Sequence, residues 1–368
     1  MKLKPTNFHK DFKLNSNSFA TVDALLSYVA EFSRELHPFL KDWFSDNDVV
    51  IVHTSGSSGT PKAIKLQKNQ MQNSATATGD FFALKEKTTA LLCLPIAYIA
   101  GKMMLVRALT LGWHLDVVPA DSNPLKENYK TYDFSAMVPL QVENSIEKLY
   151  QIKKLIVGGG AVSKALQEKL QHVVAAVFAT YGMTETITHI AVKKLNNFTA
   201  LHENTDQQSH HKSYYRILPK TVIYKDERNC LVLKNTTISD AVLFTNDVVR
   251  LISNSQFEWL GRFDNVINSG GIKLHPESIE EKLSKIIVQR FFVAGIKDEK
   301  LGEKLVLLIE SSKDKLIKSP DQLNSEMKNS KLFSRFEIPK EIYFIDRFTE
   351  TETKKIQRQK TLDLINLN

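Results

Sequence analysis

The sequence predicts an α/β fold, with a large N-terminal domain of helix-covered sheets and a small α+β C-terminal domain. Short apolar runs alternate with helical stretches over the first half of the chain, which is typical of a parallel sheet covered by helices. After residue 186 the apolar runs come as hairpin-like pairs, which indicates antiparallel strands. A break rich in glycine near residue 264 precedes a second set of elements, and glycine and proline commonly mark such boundaries.

Length and composition agree with more than one folding unit. The chain has 368 residues, of which 42% are hydrophobic and 24% charged. A chain of this length exceeds one ordinary core. We therefore assign residues 1–264 to the large domain and residues 265–368 to the small, mobile one.

The first half of the chain supplies the predicted helices and parallel strands. A helix is expected over residues 22–39, followed by a strand in "DVVIVHT". Further strands are expected in "ALLCLP", "HLDVVPA", "KLIVGG" and "AAVFATYG". The intervening helices are expected in "NQMQNSATATGDFFAL", "KMMLVRALTL" and "VSKALQEKLQHVV".

The second half is expected to be richer in antiparallel strands. "TVIYKDERNCLVLK" has the pattern of a hairpin, and "AVLFTNDVVRLI" and "FEWLG" continue it. Beyond the break, Pro276 is followed by a helical pattern, because proline suits the first turn of a helix. A second hairpin in "RFFVAGIKD" and "KLVLLIES", a helix near residues 321–329 and a strand in "EIYFID" complete the small domain.

Charge and cysteine content narrow the function classes. The net charge of +8 would suit nucleic acid, a membrane surface or a polyanionic small molecule. Lysines and acids alternate, and no zinc-finger or ribonucleoprotein motif occurs, which favours a phosphate-rich small ligand. Cys93 and Cys230 lack disulfide or metal-ligand spacing, and no signal core or membrane span is found. We expect a cytoplasmic protein of undetermined oligomeric state.

A stretch rich in glycine and hydroxyls, "HTSGSSGTPKAIKL" at residues 53–66, follows an apolar run. Glycines let backbone N–H groups approach phosphate oxygens, and hydroxyls and a lysine add donors. A flexible linker is the alternative, but a linker needs neither a preceding strand nor the Pro-Lys that follows. The predicted phosphate-binding residues are Thr54, Ser55, Gly56, Ser57, Ser58, Gly59, Thr60 and Lys62.

"TSGSSGTPK" resembles the phosphate loop of the adenylate-forming superfamily: acyl- and aryl-CoA ligases, firefly luciferase and peptide-synthetase adenylation domains. Other motifs follow in the family's order. They are "VGGGAV", "YGMTET", "FTNDVV", "GRFDNVI" and "TETKKIQRQK". The resemblance extends over nearly the whole chain, with a shortened N-terminal region, and implies ATP, Mg²⁺ and CoA as reactants and cofactor.

The resemblance gives roles to the residues of the first motifs. Tyr181 would offer a flat face to adenine, Thr184 a hydroxyl to a phosphate, and Glu185 a carboxylate to Mg²⁺, which prefers hard oxygen ligands. An ordinary polar strand end is the alternative for this motif alone. The remaining nucleotide-binding candidates are Gly159, Gly160, Ala161, Gly182, Met183 and Lys273.

The later motifs imply a ribose contact, a hinge and a catalytic cation. Asp247 would accept hydrogen bonds from both ribose hydroxyls, with Asn246 in place of the usual glycine. Arg262 would contact the nucleotide, and Asp264 would be the hinge of the small domain. Lys355 would be the catalytic lysine. The residue before it is Lys354 instead of the family's glycine, so the choice between the two lysines stays open.

The acid substrate is implied by weaker resemblances. In "LPIAYIAG", Tyr98 stands where relatives often carry a histidine that lines the acyl pocket, and a core aromatic is the alternative. The segment "SAMVPLQVE", which contains Gln141, is similar to that of bacterial o-succinylbenzoate–CoA ligases of menaquinone biosynthesis. Tyr98 and Gln141 are therefore the substrate candidates.

Three functions remain open at this point. The first is an AMP-forming CoA ligase acting on an aromatic acid. The second is another acyl-CoA ligase or a stand-alone adenylation enzyme that loads a carrier-protein thiol. The third is a non-catalytic nucleotide-binding protein, against which the set of Lys62, Glu185, Asp247, Arg262 and Lys355 argues.

Overall fold

The computed structural model describes residues 7–53, 62–197, 213–311, 318–350 and 356–365. The α-helices there are α1 Val22–Phe32, α2 Leu36–Trp43, α3 Lys68–Phe82, α4 Ile99–Leu111, α5 Pro139–Asn144, α6 Lys164–Leu170, α7 Pro276–Leu283, α8 Pro320–Asn329 and α9 Arg358–Asp363. Short 3₁₀ helices span Ile146–Gln151, Thr184–Thr186 and Phe263–Asn265. Within these described ranges, no helix is both long and apolar enough to cross a membrane.

The strands form three sheets. They are β1 Lys13–Leu14, β2 Asn17–Ser18, β3 Val49–His53, β4 Ala63–Gln67, β5 Thr89–Leu92, β6 His114–Val117, β7 Tyr132–Met137, β8 Ile152–Val157, β9 Ala176–Gly182, β10 His189–Lys194, β11 Tyr215–Ile217, β12 Val222–Lys225, β13 Cys230–Lys234, β14 Leu243–Ser253, β15 Gln256–Arg262, β16 Ile267–Ser269, β17 Ile272–Leu274, β18 Phe291–Asp298, β19 Gly302–Glu310 and β20 Glu341–Ile345. The largest sheet has the order β12-β13-β14-β15-β11-β10-β9-β8-β7-β5-β6-β1-β2.

One half of the large sheet is parallel and covered by helices on both faces. Neighbouring strands run parallel from β9 through β8, β7, β5 and β6 to β1. Alternate residues of β5 face opposite sides: Ala90 and Leu92 join the core that contains α3 and α4. Leu91, and Cys93 just after the strand, join the core that contains α5 and α6. The predicted α/β class is confirmed.

The other half of the large sheet is antiparallel. β10 pairs antiparallel with β9, and β12, β13, β14 and β15 pair as successive antiparallel neighbours. The hairpin predicted in "TVIYKDERNCLVLK" is therefore present as β12 and β13, and the strands expected after it are present as β14 and β15. The register sets Asp247 opposite Arg262, which matters for the site described below.

After β15 the chain enters a different sheet. β16, β17, β18 and β19 pair antiparallel in the order β17-β16-β19-β18, and β20 pairs parallel with β19. One core of this part packs α7 and α8 on the sheet. A second core, on Phe292 and Phe348, receives Leu362 of α9.

Two local expectations are corrected. The single helix predicted over residues 22–39 is broken, because Ser33 adopts an extended backbone at the end of α1. The Ser33 hydroxyl then accepts a hydrogen bond from the Leu36 N–H, which starts α2. The strand in "DVVIVHT" does not join the parallel sheet, since β3 pairs antiparallel with β4 in a separate two-stranded sheet.

Candidate active site

Several predicted motifs meet at one edge of the parallel sheet. Residues 94–101 follow β5, residues 158–161 follow β8, and the turn Thr184–Thr186 follows β9. Parallel strands place their carboxyl ends on the same edge, which is where open α/β sheets bind ligands. The topology therefore collects Tyr98, the glycine turn and the "YGMTET" segment at a single edge.

The glycine turn after β8 needs small residues. A Cβ added at Gly158 would lie 2.5 Å from Thr180 Oγ1, and one at Gly159 would lie 3.3 Å from Val138 Cγ1. Gly159 also has φ +78°, a backbone region that glycine adopts at little cost. Gly159, Gly160 and Ala161 are exposed, so a ligand can reach their backbone.

The "YGMTET" segment ends in a strained turn. Ile187 has φ 67° and ψ −57°, and the Thr188 N–H donates to Thr186 O across 2.7 Å. This three-residue turn with positive φ is rare, above all for a β-branched residue. Such strain persists where surrounding structure imposes it, often at functional sites. Glu185 stays exposed on the turn, where a single carboxylate suits Mg²⁺ whose other oxygen ligands come from phosphates.

Asp247, the predicted ribose contact, lies in a cluster of aromatic and charged side chains. Its side chain accepts from the Tyr181 hydroxyl at 2.7 Å and from Trp259 Nε1 at 3.0 Å. Arg262 Nη1 lies 3.8 Å from Asp247 Oδ1. Burial, and then the Asp247 charge, raise the pKa of Tyr181 far above its ordinary value and that of Tyr215 to about 12. Both hydroxyls therefore stay protonated as donors.

Asp264, the predicted hinge residue, contacts side chains of β14 and β15. Arg262 Nη2 lies 3.1 Å from Asp264 Oδ2, and Asn246 Nδ2 donates to the same oxygen at 3.2 Å. Arg228 Nη1 donates to Asn246 Oδ1 at 3.0 Å. Asn246 thus contacts the carboxylate of the predicted hinge residue. Lys273 is exposed on β17, opposite Asn268.

The two substrate candidates differ in exposure. The Tyr98 side chain is 44% exposed at the start of α4. Gln141 is buried, and its Nε2 donates to Cys93 O at 2.8 Å and Asp121 O at 2.9 Å. Its Oε1 accepts from the Val138 N–H at 3.1 Å. Gln141 therefore joins three loops of the active-site edge, and a contact between it and the acid remains a prediction.

Part of the predicted site lies outside the described residues. This applies to Lys354, Lys355 and the phosphate-loop residues Thr54, Ser55, Gly56, Ser57, Ser58, Gly59 and Thr60. Lys62 is described just before β4. The roles of all these residues, including Lys62, stay predictions.

Comparison with known proteins settles the family. The model of the AMP-binding enzyme family matches residues 9–229. This chain belongs to the AMP-binding enzymes. The predicted class, an AMP-forming acid–CoA ligase, is confirmed at the level of the family.

Relatives of known name agree with this membership. The 2-succinylbenzoate–CoA ligase of Bacillus mycoides is 24% identical over 360 residues, covering 89% of this chain and 72% of the relative. An acyl-CoA synthetase (AMP-forming)/AMP-acid ligase II-like protein from Dyadobacter fermentans has 36% identity and a TM-score of 0.57, with 90% and 93% coverage. The o-succinylbenzoate CoA synthetase of Bacillus subtilis, solved with the acyl-adenylate OSB-AMP, has 19% identity, a TM-score of 0.69, and 84% and 68% coverage. This last likeness concerns the fold alone.

Sequence reasoning missed one buried charge in this AMP-binding enzyme, the guanidinium of Arg107 in α4. Arg107 is 1% exposed. Its Nε donates to Thr78 Oγ1 and its Nη2 to Thr188 Oγ1, both at 3.3 Å. In the described part of the chain, no carboxylate lies within 4.0 Å of it, and burial lowers the pKa of Arg107 to about 9. The sequence feature that could have indicated this buried charge is a single arginine inside the apolar helical run "KMMLVRALTL".

His189 adjoins this arginine at the start of β10. It is 5% exposed, and its Nε2 is buried with no hydrogen-bond partner among the described residues. Burial, and then the Arg107 charge, hold the pKa of His189 well below its ordinary value, so the imidazole is neutral at pH 7. Arg107 and His189 together leave buried polar groups suited to an anion.

Proposed function

We propose that this AMP-binding enzyme activates o-succinylbenzoate with ATP and transfers the acyl group to CoA, forming o-succinylbenzoyl-CoA for menaquinone biosynthesis. The names of the relatives from Bacillus support this substrate. The observation that carries the proposal is the buried Arg107 without a carboxylate partner in the described ranges.

The substrate's chemistry explains why such an arginine would be kept. o-Succinylbenzoate has two carboxylates, and only one is activated. A buried, uncompensated cation is costly, and a second substrate carboxylate would offset that cost through charge-assisted hydrogen bonds. The guanidinium of Arg107 and the imidazole of His189 are the proposed partners of that second carboxylate.

The proposed reaction has two steps. The substrate carboxylate attacks the α-phosphorus of ATP, which forms acyl-AMP and releases pyrophosphate. The CoA thiol then attacks the acyl carbon and releases AMP. Thr184 and Lys355 would stabilise the negative charge that develops on phosphate oxygens, and one well-placed donor of this kind contributes about 3–4 kcal/mol. Mg²⁺, held by Glu185, would supply charge neutralisation on the phosphates.

The nucleotide would lie between the glycine turn and β14. Asp247 keeps acceptor capacity beyond its bonds from Tyr181 and Trp259, because a carboxylate has about four lone-pair positions. These free positions would accept the ribose hydroxyls. Residues 265–368 would act as a lid that turns about Asp264 and brings Lys355 to the α-phosphate.

A substrate panel tests the proposal. The protein is incubated with ATP, Mg²⁺ and CoA and with o-succinylbenzoate, benzoate or a fatty acid, and pyrophosphate and thioester are measured. We expect turnover with o-succinylbenzoate and far less with benzoate, which lacks the second carboxylate. Equal rates with both acids would contradict the proposed substrate. Formation of acyl-AMP without thioester would instead favour a carrier-protein thiol as acceptor.

A further inference from the structure

We infer that Lys102 is a positioning residue that fixes the loop of residues 93–98, one wall of the acid pocket. This inference rests on the proposed function. The loop follows β5 at the active-site edge and leads into α4 at Tyr98. Tyr98 is its exposed aromatic side chain, so the backbone just before Tyr98 sets where the ring points.

The ammonium of Lys102 binds that backbone directly. Lys102 Nζ donates to Ile96 O at 2.7 Å and to Ala97 O at 2.9 Å. Two successive carbonyls that point at one donor fix both peptide planes ahead of Tyr98. The ammonium also lies 5.6 Å from the centre of the Phe39 ring, an attractive cation–π distance.

The carbonyls of the loop are the main hydrogen-bond partners of the Lys102 ammonium. Lys102 is half-buried, and burial lowers the pKa of its ammonium while Asp42 opposes that shift. Across the described ranges, no carboxylate lies within 4.0 Å of Lys102 Nζ. The first turn of a helix disfavours a cation, and Lys102 lies in the first turn of α4. The loop carbonyls therefore compensate for an otherwise unfavourable position.

Two other contacts hold the same loop and show that its path is tightly specified. A Cβ added at Gly101 would lie 2.3 Å from Pro95 O, so α4 packs directly on the loop backbone. On the other side, Gln141 Nε2 donates to Cys93 O. Of the three residues that hold this loop, Lys102 makes the contacts nearest to Tyr98. Lys102 therefore controls the position of the end of the loop at Tyr98.

The expected consequence is a selective loss of acid binding. Removing the ammonium would leave the carbonyls of Ile96 and Ala97 without this donor, and the loop would shift. A displacement of about 1 Å at a substrate-positioning group reduces rates by about a hundredfold in enzymes. The proposed ATP contacts, on the glycine turn and on Asp247, lie on other strands and should be little affected.

The test uses three variants of the full chain. Lys102→Met removes the ammonium and keeps the apolar stem, and Lys102→Arg restores a cationic donor. Lys154→Met is the matched control, because Lys154 Nζ also donates to a backbone carbonyl, that of Phe82, away from the loop. KM for o-succinylbenzoate and for ATP is measured from pyrophosphate release. Hydrogen–deuterium exchange is followed at the Tyr98 and Lys102 amides, which donate to Pro95 O and Tyr98 O.

For Lys102→Met we expect KM for the acid to rise about tenfold or more, with KM for ATP within about twofold and faster exchange at both amides. Lys102→Arg should recover most of the loss, and Lys154→Met should resemble the wild type. Equal increases in both KM values, or unchanged exchange, would overturn the inference. If the wild type uses no acid of the panel, the proposed function fails, whereas the exchange measurement still decides whether Lys102 holds the loop.

Discussion

Tyr181 and Asp247 share a hydrogen bond of 2.7 Å although their strands are not neighbours in the sheet. Tyr181 lies on β9 and Asp247 on β14, with β10, β11 and β15 between them in the sheet order. The antiparallel half of the sheet must therefore curl to bring the two side chains together. This curl places the predicted adenine-side residue and the predicted ribose-side residue in one cluster.

Asp247→Asn should weaken nucleotide binding through the ribose. An amide offers one acceptor oxygen instead of two, while Tyr181 and Trp259 continue to require acceptors. We expect affinity for ATP to fall about tenfold to a hundredfold, the size of one or two hydrogen bonds to a charged group. Calorimetric titration with ATP and with 2′-deoxy-ATP measures this.

The comparison of the two nucleotides is the decisive part. The wild type should prefer ATP over 2′-deoxy-ATP, and Asp247→Asn should lose that preference. Asp240→Asn, at an exposed position of the same domain, is the control. A preference that persists in Asp247→Asn would remove Asp247 from the ribose site.

Much of the fold could be read from the sequence where strand patterns were regular, and the exceptions have physical causes. β7 went unpredicted because Asp133 and Ser135 interrupt its apolar pattern. Both are satisfied across the sheet: Asp133 accepts from the Thr89 N–H, and Ser135 donates to Leu91 O. A sequence pattern also does not reveal a strand's partner, which is why β3 was placed in the wrong sheet.

Arg107→Met should reduce substrate use without lowering the stability of the fold. Replacing a buried, unpaired charge by an apolar side chain of similar length is often neutral or stabilising, so the melting temperature should stay the same or rise. Loss of the partner for the second carboxylate should lower kcat/KM for o-succinylbenzoate by about a hundredfold, equivalent to 2.7 kcal/mol. Thermal unfolding and pyrophosphate release measure the two effects.

The control for this variant is Arg216→Met on β11, where the arginine is exposed. It should leave both quantities unchanged. A fall in melting temperature for Arg107→Met, with equal activity losses for mono- and dicarboxylic acids, would show that Arg107 serves the core and not the substrate.

His189 should make the fold sensitive to acid. Its pKa is held well below the ordinary value in the folded chain, whereas the unfolded chain titrates near pH 6.5. Below that pH the unfolded state binds a proton that the folded state does not, so stability falls as the pH falls. Between pH 7.5 and 5.5 this single group should remove on the order of 1 kcal/mol of unfolding free energy.

Urea unfolding at both pH values checks the prediction. His189→Gln should lose about that much less stability on acidification than the wild type, because it has no group to protonate there. His172→Gln, at an exposed position, should behave as the wild type does. Parallel pH profiles for the wild type and His189→Gln would exclude His189 as the source.

The candidate site was harder to predict from the sequence than the fold, because some of its residues depend on contacts between distant segments. Glu185 and Asp247 could be predicted as site residues because each lies in a short characteristic stretch. Arg107 and His189 lie on α4 and β10, and only the folded chain shows that both are buried side by side. Gln141 was assigned to the substrate from its segment, and its three backbone bonds became visible only in the structure.

Lys355→Ala should strongly slow the first half-reaction and spare the second. The lysine precedes Ile356, which pairs with Glu350, and Arg358, whose Nη2 lies 2.8 Å from Glu280 Oε2. These contacts anchor the chain just beyond it. Removing the cation should slow acyl-AMP formation by about a hundredfold or more, while thioester formation from supplied acyl-AMP continues.

Single-turnover assays of each step measure this effect, with Lys354→Ala as the adjacent control. A loss confined to Lys355→Ala identifies that lysine as the catalytic cation. Equal losses in both variants would mean that the two lysines share the role, and a near wild-type rate of adenylation in Lys355→Ala would contradict its assignment.

Gln141→Leu should destabilise the fold more than any contact with the substrate could explain. The leucine would leave Cys93 O, Asp121 O and the Val138 N–H without their partner. A buried group that loses its partner costs about 1–3 kcal/mol, so we expect a total loss of roughly 3–5 kcal/mol in urea unfolding.

Gln171→Leu is the matched control, since the exposed Gln171 also donates to two carbonyls, those of Gln167 and Leu195. That control should lose under about 1 kcal/mol of unfolding free energy. If Gln141→Leu kept wild-type stability and only raised KM for the acid, Gln141 would be a substrate contact as its sequence segment predicted, and the joining of the three loops would be incidental.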